Sequence, residues 1–350
     1  MKSKVIVITL IIAMALSIIA YHYRSQKVKY TSQSDENNNS EILFGLVTGY
    51  GGLGDKAFND MQFNGMLLAK RNFGIEFIYE SPSTWGTDLE VLDRIINRGA
   101  SVIIAGGGFH MIDPVDIYAR KYPDIIFIIL DDFAKEYLPN IATISYRQNE
   151  GSFLVGALSA LETSTNTIAM IGATDIEIIN DFYNGFEAGA KHINPNIKIF
   201  KKYIGSIDDV VSPFANPQKA QVIADDLYAN HNVDIIYQVA SGSGIGVFNS
   251  ARNNKKFAIG VDSDQDYLAE GFVLTSMMKR LDLSINMIIE HILNETFENK
   301  AYKLGLKENG VSLSPMNFTK NIISQKSLNH IDMLKQDIIE GKIQVKTYFP

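Results

Sequence analysis

Ten short runs rich in isoleucine, valine and leucine, separated for the most part by segments long enough for a helix, limit most severely the folds open to this chain. They lie at 43–48, 76–80, 102–105, 125–130, 141–144, 167–171, 199–203, 235–239, 258–261 and 273–277. Most are continuously apolar and do not alternate with polar residues. That pattern belongs to strands buried on both faces, in parallel sheets covered by helices. Ten strands are too many for one sheet of ordinary size, so two α/β lobes are expected, each a doubly wound parallel sheet. Pro139-Asn140 marks a turn near the expected junction. The helical segment 150–161 that follows is rich in small residues (Gly151, Ser152, Gly156, Ala157, Ser159, Ala160), a face that allows close packing. The rhythm restarts at Thr167 and breaks again over the last 50 residues. The expected division is 42–145 with 273–298 as an N-terminal lobe, and 146–272 with 299–350 as a C-terminal lobe. No internal repeat is visible.

Ahead of the lobes, Lys2 and Lys4 precede an unbroken apolar run, 5–20, which Tyr21, His22, Tyr23 and Arg24 close. A basic start and an apolar core make an export signal. Ser17-Ile18-Ile19-Ala20 is a poor cleavage site, so residues 1–24 are expected to stay as a membrane anchor, the tyrosines reaching into the interface. Residues 25–41 are polar and read as a flexible tether. The protein is therefore expected to be exported and held at the cell membrane, on its periplasmic or extracellular face.

Much chemistry is excluded. A net charge of −7 offers no field for nucleic acid, and the absence of cysteine removes disulfides, thiolate metal sites and cysteine nucleophiles. Gly341-Lys342 is followed by Ile343 and makes no phosphate loop, and the cluster at 241–246 does not fit a dinucleotide fingerprint. The six histidines stand apart from one another. No enzyme, metal or cofactor is expected.

The chemistry-bearing residues gather at strand ends. Gly51-Gly52-Leu53-Gly54-Asp55-Lys56-Ala57-Phe58-Asn59 joins the first strand to a helical segment, 60–71. A strand, a glycine-rich turn and a helix place that loop at the carboxyl edge of an open α/β sheet, where ligands bind. Phe58 offers a flat face and Asn59 an amide; alternatively the glycines only permit a turn with Phe58 packed beneath it. Gly106-Gly107-Gly108-Phe109, Asp131-Asp132, the 241–246 loop and Asp262 follow other strands. Carboxylates so placed in two facing lobes can hold a polyol, although each is equally at home as a helix N-cap. Phe58 and Tyr237 can stack on a base, or Tyr237 can be core. Lys279 can donate to a hydroxyl, or be a surface charge.

At this point the chain resembles the basic membrane protein family, exported purine-nucleoside receptors of the PnrA type. Beyond the glycine-rich loop, the resemblance rests on Tyr122-Pro123-Asp124 leading to Asp131, and on Gln148-Asn149-Glu150-Gly151-Ser152-Phe153-Leu154-Val155-Gly156-Ala157-Leu158. It continues through Phe182-Tyr183-Asn184-Gly185-Phe186-Glu187-Ala188-Gly189-Ala190, Gly260-Val261-Asp262-Ser263-Asp264-Gln265 and Leu274-Thr275-Ser276-Met277-Met278-Lys279. It implies a type I periplasmic-binding-protein fold, two α/β lobes joined by crossover strands. It further implies a monomeric receptor that holds a nucleoside in the cleft and hands it to the permease and ATPase of an ABC importer. Carried over, Phe58 resembles the base-stacking phenylalanine, with Tyr237 on the other ring face. Asp262 and Lys279 resemble the ribose-binding pair, and Asp131 and Gly244 match other cleft positions. Two departures stand out. No cysteine follows the apolar run, so lipid attachment there is excluded. Thr48-Gly49-Tyr50 stands where many relatives carry an acidic residue, so the resemblance does not carry base selectivity across. The residues also leave room for a ligand-sensing or adhesive surface protein, or a binder of another small solute such as a sugar.

Overall fold

The computed structural model describes residues 42–349 except 85, 207, 210 and 211. The expected anchor and tether lie outside the described residues. Among the described residues no helix is long and apolar enough to cross a membrane.

The ten runs form ten strands: β1 Leu43–Val47, β2 Glu76–Glu80, β3 Val102–Ala105, β4 Ile126–Leu130, β5 Ile141–Tyr146, β6 Thr167–Gly172, β7 Lys198–Tyr203, β8 Ile235–Val239, β9 Phe257–Asp262 and β10 Val273–Lys279. Two further strands, β11 Ala301–Leu304 and β12 Val311–Leu313, complete two sheets of six. The first sheet runs β11-β5-β4-β3-β1-β2 and is parallel throughout. The second runs β12-β10-β9-β8-β6-β7, antiparallel only where β12 meets β10. Without the last-added strands, the two orders are 5-4-3-1-2 and 10-9-8-6-7, the same doubly wound order twice. The repeat that the sequence does not display is present in the topology.

The helices are α1 Phe58–Phe73, α2 Asp88–Asn97, α3 Ile112–Lys121, α4 Gln148–Glu162, α5 Glu177–Ile193, α6 Pro217–Asn230, α7 Gly244–Asn254, α8 Leu281–Leu293 and α9 Gln325–Ile339. On one face of the first sheet, Val91, Leu92 and Ile95 of α2 and Val115 and Tyr118 of α3 pack with Ile103, Phe127 and Ile129. Every residue of β3, β5, β6 and β8 is buried, which is why those runs carry no polar alternation.

The expected division of the last third of the chain is corrected. Strand β10, assigned to the first lobe, belongs to the second sheet, because Val273 pairs with Ala258 and Met278 with Asp262. Strand β11, assigned to the second lobe, belongs to the first, because Ala301 pairs with Thr143. Helix α8 packs on α1 in the first lobe. The chain therefore crosses between lobes after β5, after β10 and again after β11. Apolar runs identify strands but not their partners, and only pairing decides which sheet a strand completes.

The small-residue face of α4 meets α5 backbone to backbone. A Cβ on Gly156 would stand 1.9 Å from the Phe186 carbonyl oxygen, and one on Gly189 1.9 Å from that of Phe153. Gly189→Ala must push the helices apart and is expected to cost about 1–3 kcal/mol, an overpacking penalty read by urea unfolding. An unchanged denaturation midpoint would show that the helices yield freely.

Candidate functional site

The carboxyl ends of both sheets face one cavity, enclosing about 790 Å³ of atom-free space with its open mouth included. Its walls are the strand-end loops expected from the topology: Gly49 and Tyr50 after β1, Gly107 to His110 after β3, Asp131 and Asp132 after β4, Val239 to Ser241 at β8, Asp262 at β9 and Lys279 at β10. In each sheet the strand order reverses between the first and third strands of the lobe, opening the crevice there.

The glycine-rich loop is built to present Phe58. Gly51, Gly52 and Gly54 take positive φ (89°, 65° and 104°), the left-handed region where a side chain is strained. Asp55 then accepts hydrogen bonds from the N–H groups of Ala57, Asn59 and Asp60 and so satisfies the start of α1. Phe58, the first residue of that helix, is half-buried on the cavity wall. Asn59 also lines the cavity, and its amide ties the loop together. Its Oδ1 accepts from the Gly49 N–H at 2.9 Å and its Nδ2 donates to the Gly52 carbonyl at 2.9 Å. Asn59 braces the loop.

Asp131 and Asp262 both sit at strand tips with left-handed backbones, φ 64° and 66°. Neither caps an α-helix, since none follows β4 or β9 before the next strand. Holding a non-glycine residue there costs roughly 1–3 kcal/mol, and such strain gathers at functional sites. Lys279, 1% exposed, donates to both oxygens of Asp131 at 2.8 and 2.7 Å. Its ammonium also lies 4.7 Å from the ring centre of Phe182, 5.5 Å from Tyr146 and 5.9 Å from Phe58. The ion pair sequence reasoning left out is thus Lys279 with Asp131. The Asp262 carboxylate has no hydrogen-bond partner among the described residues. Burial pushes Asp262 up to about 7; Lys279 opposes this, and Asp131 and Asp55 add to it. Burial likewise raises Asp131 against the pull of Lys279, and lifts Asp132 to about 7. Among the described residues no cluster of side chains could hold a metal ion.

Two expected site residues are elsewhere. Tyr237 is fully buried in β8, its ring 5.4 Å from Phe186 and its hydroxyl 3.2 Å from Ser152 Oγ. Gly244 opens α7 and packs on Gln238, whose amide a Cβ would meet at 2.2 Å. From the same loop Ser241 lines the cavity instead and donates to Asp55 Oδ2 at 2.8 Å across the cleft. Ser263 Oγ and Gln265 Nε2 reach the Lys56 carbonyl from the second lobe, at 2.5 and 2.9 Å, so the cleft is closed at this edge. The apolar wall is supplied by Phe182, Phe109 and Phe214, together with Ile176, Ile178 and Ile179. Phe182 and Phe109 stand in motifs already noted, beside Gly185 and after three glycines.

Tyr50 and His110, also on the wall, converge on Asp88. The tyrosine hydroxyl donates to Oδ2 at 2.7 Å, and His110 Nδ1 lies 2.8 Å from Oδ1. The two rings are 4.3 Å apart. Burial pushes the Asp88 carboxyl up, but the hydrogen bonds from His110 and Tyr50 outweigh it and hold the group below the ordinary carboxylate range.

Residues 44–348 match the family described as "ABC transporter substrate-binding protein PnrA-like". Basic membrane protein A of Borreliella burgdorferi is 33% identical, over 83% of this chain and 84% of that protein. The ABC transporter nucleoside-binding protein BmpA of Lactococcus lactis subsp. cremoris is 29% identical over 99% of both chains. Among solved structures, an ABC transporter solute-binding protein of Aeropyrum pernix K1 superposes with a TM-score of 0.78 at 23% identity, over 87% of this chain and 93% of that one. A solute-binding protein of Conexibacter woesei superposes at 0.70 with 19% identity, over 88% and 100%. These likenesses, with the two parallel-dominated sheets, establish the type I periplasmic-binding-protein fold.

Proposed function

Because this chain belongs to the PnrA-like family of ABC transporter substrate-binding proteins, we propose that it captures a purine nucleoside in the interlobe cavity and delivers it to the permease and ATPase of an ABC importer. The reading places the lobes on the outer face of the membrane, as a monomer tethered through the apolar run at 5–20.

One observation carries it: Phe58, Asp131, Asp262 and Lys279, drawn from four strand ends and both lobes, line the same cavity. A half-buried aromatic face beside a polar floor suits a ligand with a flat ring at one end and hydroxyls at the other. The Lys279 ammonium has three N–H donors and directs two at Asp131, leaving one for a ribose hydroxyl or ring nitrogen. Asp262, when ionised, accepts from a hydroxyl. Phe58 supports one face of the base. Ligand contacts made by both lobes at once favour the closed state, and the ligand stabilises it only by that difference in affinity.

The test is calorimetry on the detergent-solubilised full chain with inosine, and with ribose and hypoxanthine as competitors. Inosine is expected to bind far more tightly than either fragment and to be recovered intact. Phe58→Ala is expected to weaken inosine roughly tenfold, the scale of one base–aromatic stack, without changing ribose binding. If ribose alone binds as tightly as inosine, the protein is a sugar receptor and the nucleoside reading falls.

A further inference from the structure

The ribose and stacking assignments give no task to His110, which also lines the cavity. Its side chain is only 4% exposed. One ring nitrogen is committed: Nδ1 faces Asp88 Oδ1 at 2.8 Å, and Tyr50 occupies the other oxygen of that carboxylate. An ionised carboxylate only accepts, so Nδ1 carries its hydrogen and the tautomer is set from outside the cavity wall. The other nitrogen, Nε2, is buried and has no hydrogen-bond partner among the described residues. A buried polar atom left unpaired is unfavourable, and its survival points to a partner the protein alone does not supply.

The surroundings favour a ligand atom as that partner. Gly107 lies against this edge of the ring, where a Cβ would come within 2.1 Å of Cε1 and 2.4 Å of Nε2, so only glycine leaves room for the imidazole there, and both residues line the cavity. Tyr50 at 4.3 Å and Phe109 at 5.8 Å fix the ring from its sides. Gly49, next to Tyr50, brings no side chain, and its N–H is taken by Asn59. In its neutral form, Nε2 is an acceptor held in place by two aromatic neighbours and a charged anchor.

We propose that Nε2 of His110 reads the polar edge of the bound base, accepting a hydrogen bond from a ring N–H or amino group and so selecting purines that carry a donor there. Asp88 and Tyr50 are positioning residues for that acceptor. The proposal rests on the nucleoside reading above and refines it.

The experiment compares inosine, which carries the N1–H donor, with 1-methylinosine and purine riboside, which lack it, by calorimetry on the full chain. The natural protein is expected to prefer inosine to each analogue by at least tenfold. His110→Phe removes the acceptor, and His110→Asn keeps an N–H for Asp88 but has no atom where Nε2 stood. In both variants the preference for inosine is expected to collapse toward one, a ratio that general loosening of the fold would not move. If the natural protein binds inosine and purine riboside alike, or if the preference survives in either variant, the role assigned to His110 is overturned while the nucleoside reading stands. If none of the three ligands binds the natural protein, the nucleoside reading fails first and takes this inference with it.

Discussion

Replacing Lys279 with methionine is expected to destabilise the empty protein by about 3–5 kcal/mol, the cost of leaving one member of a buried ion pair behind. Lys279 and Asp131 are 1% and 5% exposed and share two hydrogen bonds of 2.8 and 2.7 Å. Methionine fills the space of the lysine stem among Phe58, Tyr146 and Phe182, so lost packing contributes little. The loss comes from the Asp131 carboxylate, which stays buried and no longer meets a cation. Urea unfolding of the single variant measures this loss directly. Asp131→Asn in the same chain removes the stranded charge, so the double variant is expected to recover most of the stability of the natural protein. Binding is not expected to recover with it, because the free N–H of the ammonium is gone. A single variant that loses under about 1 kcal/mol would mean that the pair is solvated like a surface salt bridge.

The strands were legible because every apolar run lies within two residues of a strand's limits at both ends, and most of those strands are buried; all ten expected runs are strands in the structure. The two that escaped, β11 and β12, are short and lie outside the strand–helix rhythm. Ala301–Leu304 alternates exposed with half-buried residues, as an edge strand does, and Val311–Leu313 has three residues. At the site, reading the segments at and after strand ends led to four residues of the cavity wall, Phe58, Asp131, Asp262 and Lys279, because the order of strand and following loop is written in the sequence. That reading failed on Tyr237 because depth along a strand is not. Tyr237 shares a strand face with Val239 on the cavity wall, but two residues deeper, about 6.6 Å from it, it meets helices instead of the cleft. Gly244 shows a second limit: a glycine that makes room for Gln238 reads the same as one that makes room for a ligand. The Tyr50–Asp88–His110 group was invisible for another reason. Its members are 38 and 22 residues from Asp88, and only the adjacency of β1 and β3 brings their loops together.

Asp262 separates affinity from stability. Asp262→Ala is expected to weaken purine nucleosides at least tenfold, because one hydrogen bond from a hydroxyl to a charged acceptor contributes about 1.5–3 kcal/mol, or roughly 10- to 150-fold. An unchanged dissociation constant would remove Asp262 from the ribose site. In the empty protein the same group acts in the opposite sense. Burial lifts its folded-state value to about 7, above the 3.8 of a free aspartate, so the folded protein holds a proton that the unfolded chain has released. Its contribution is therefore favourable below about pH 4 and is lost as pH rises through 7, at no more than about 1.4 kcal/mol per pH unit. Asp262→Asn has no such proton to hold. Urea unfolding at pH 5, 6 and 7 is expected to show the variant gaining on the natural protein as pH rises, by up to that slope. Nucleoside affinity in the natural protein should move the other way and strengthen toward neutral pH, since the charged form accepts from the ribose. Parallel stability profiles for the two proteins would show that Asp262 is already ionised in the empty cavity, with Lys279 outweighing burial.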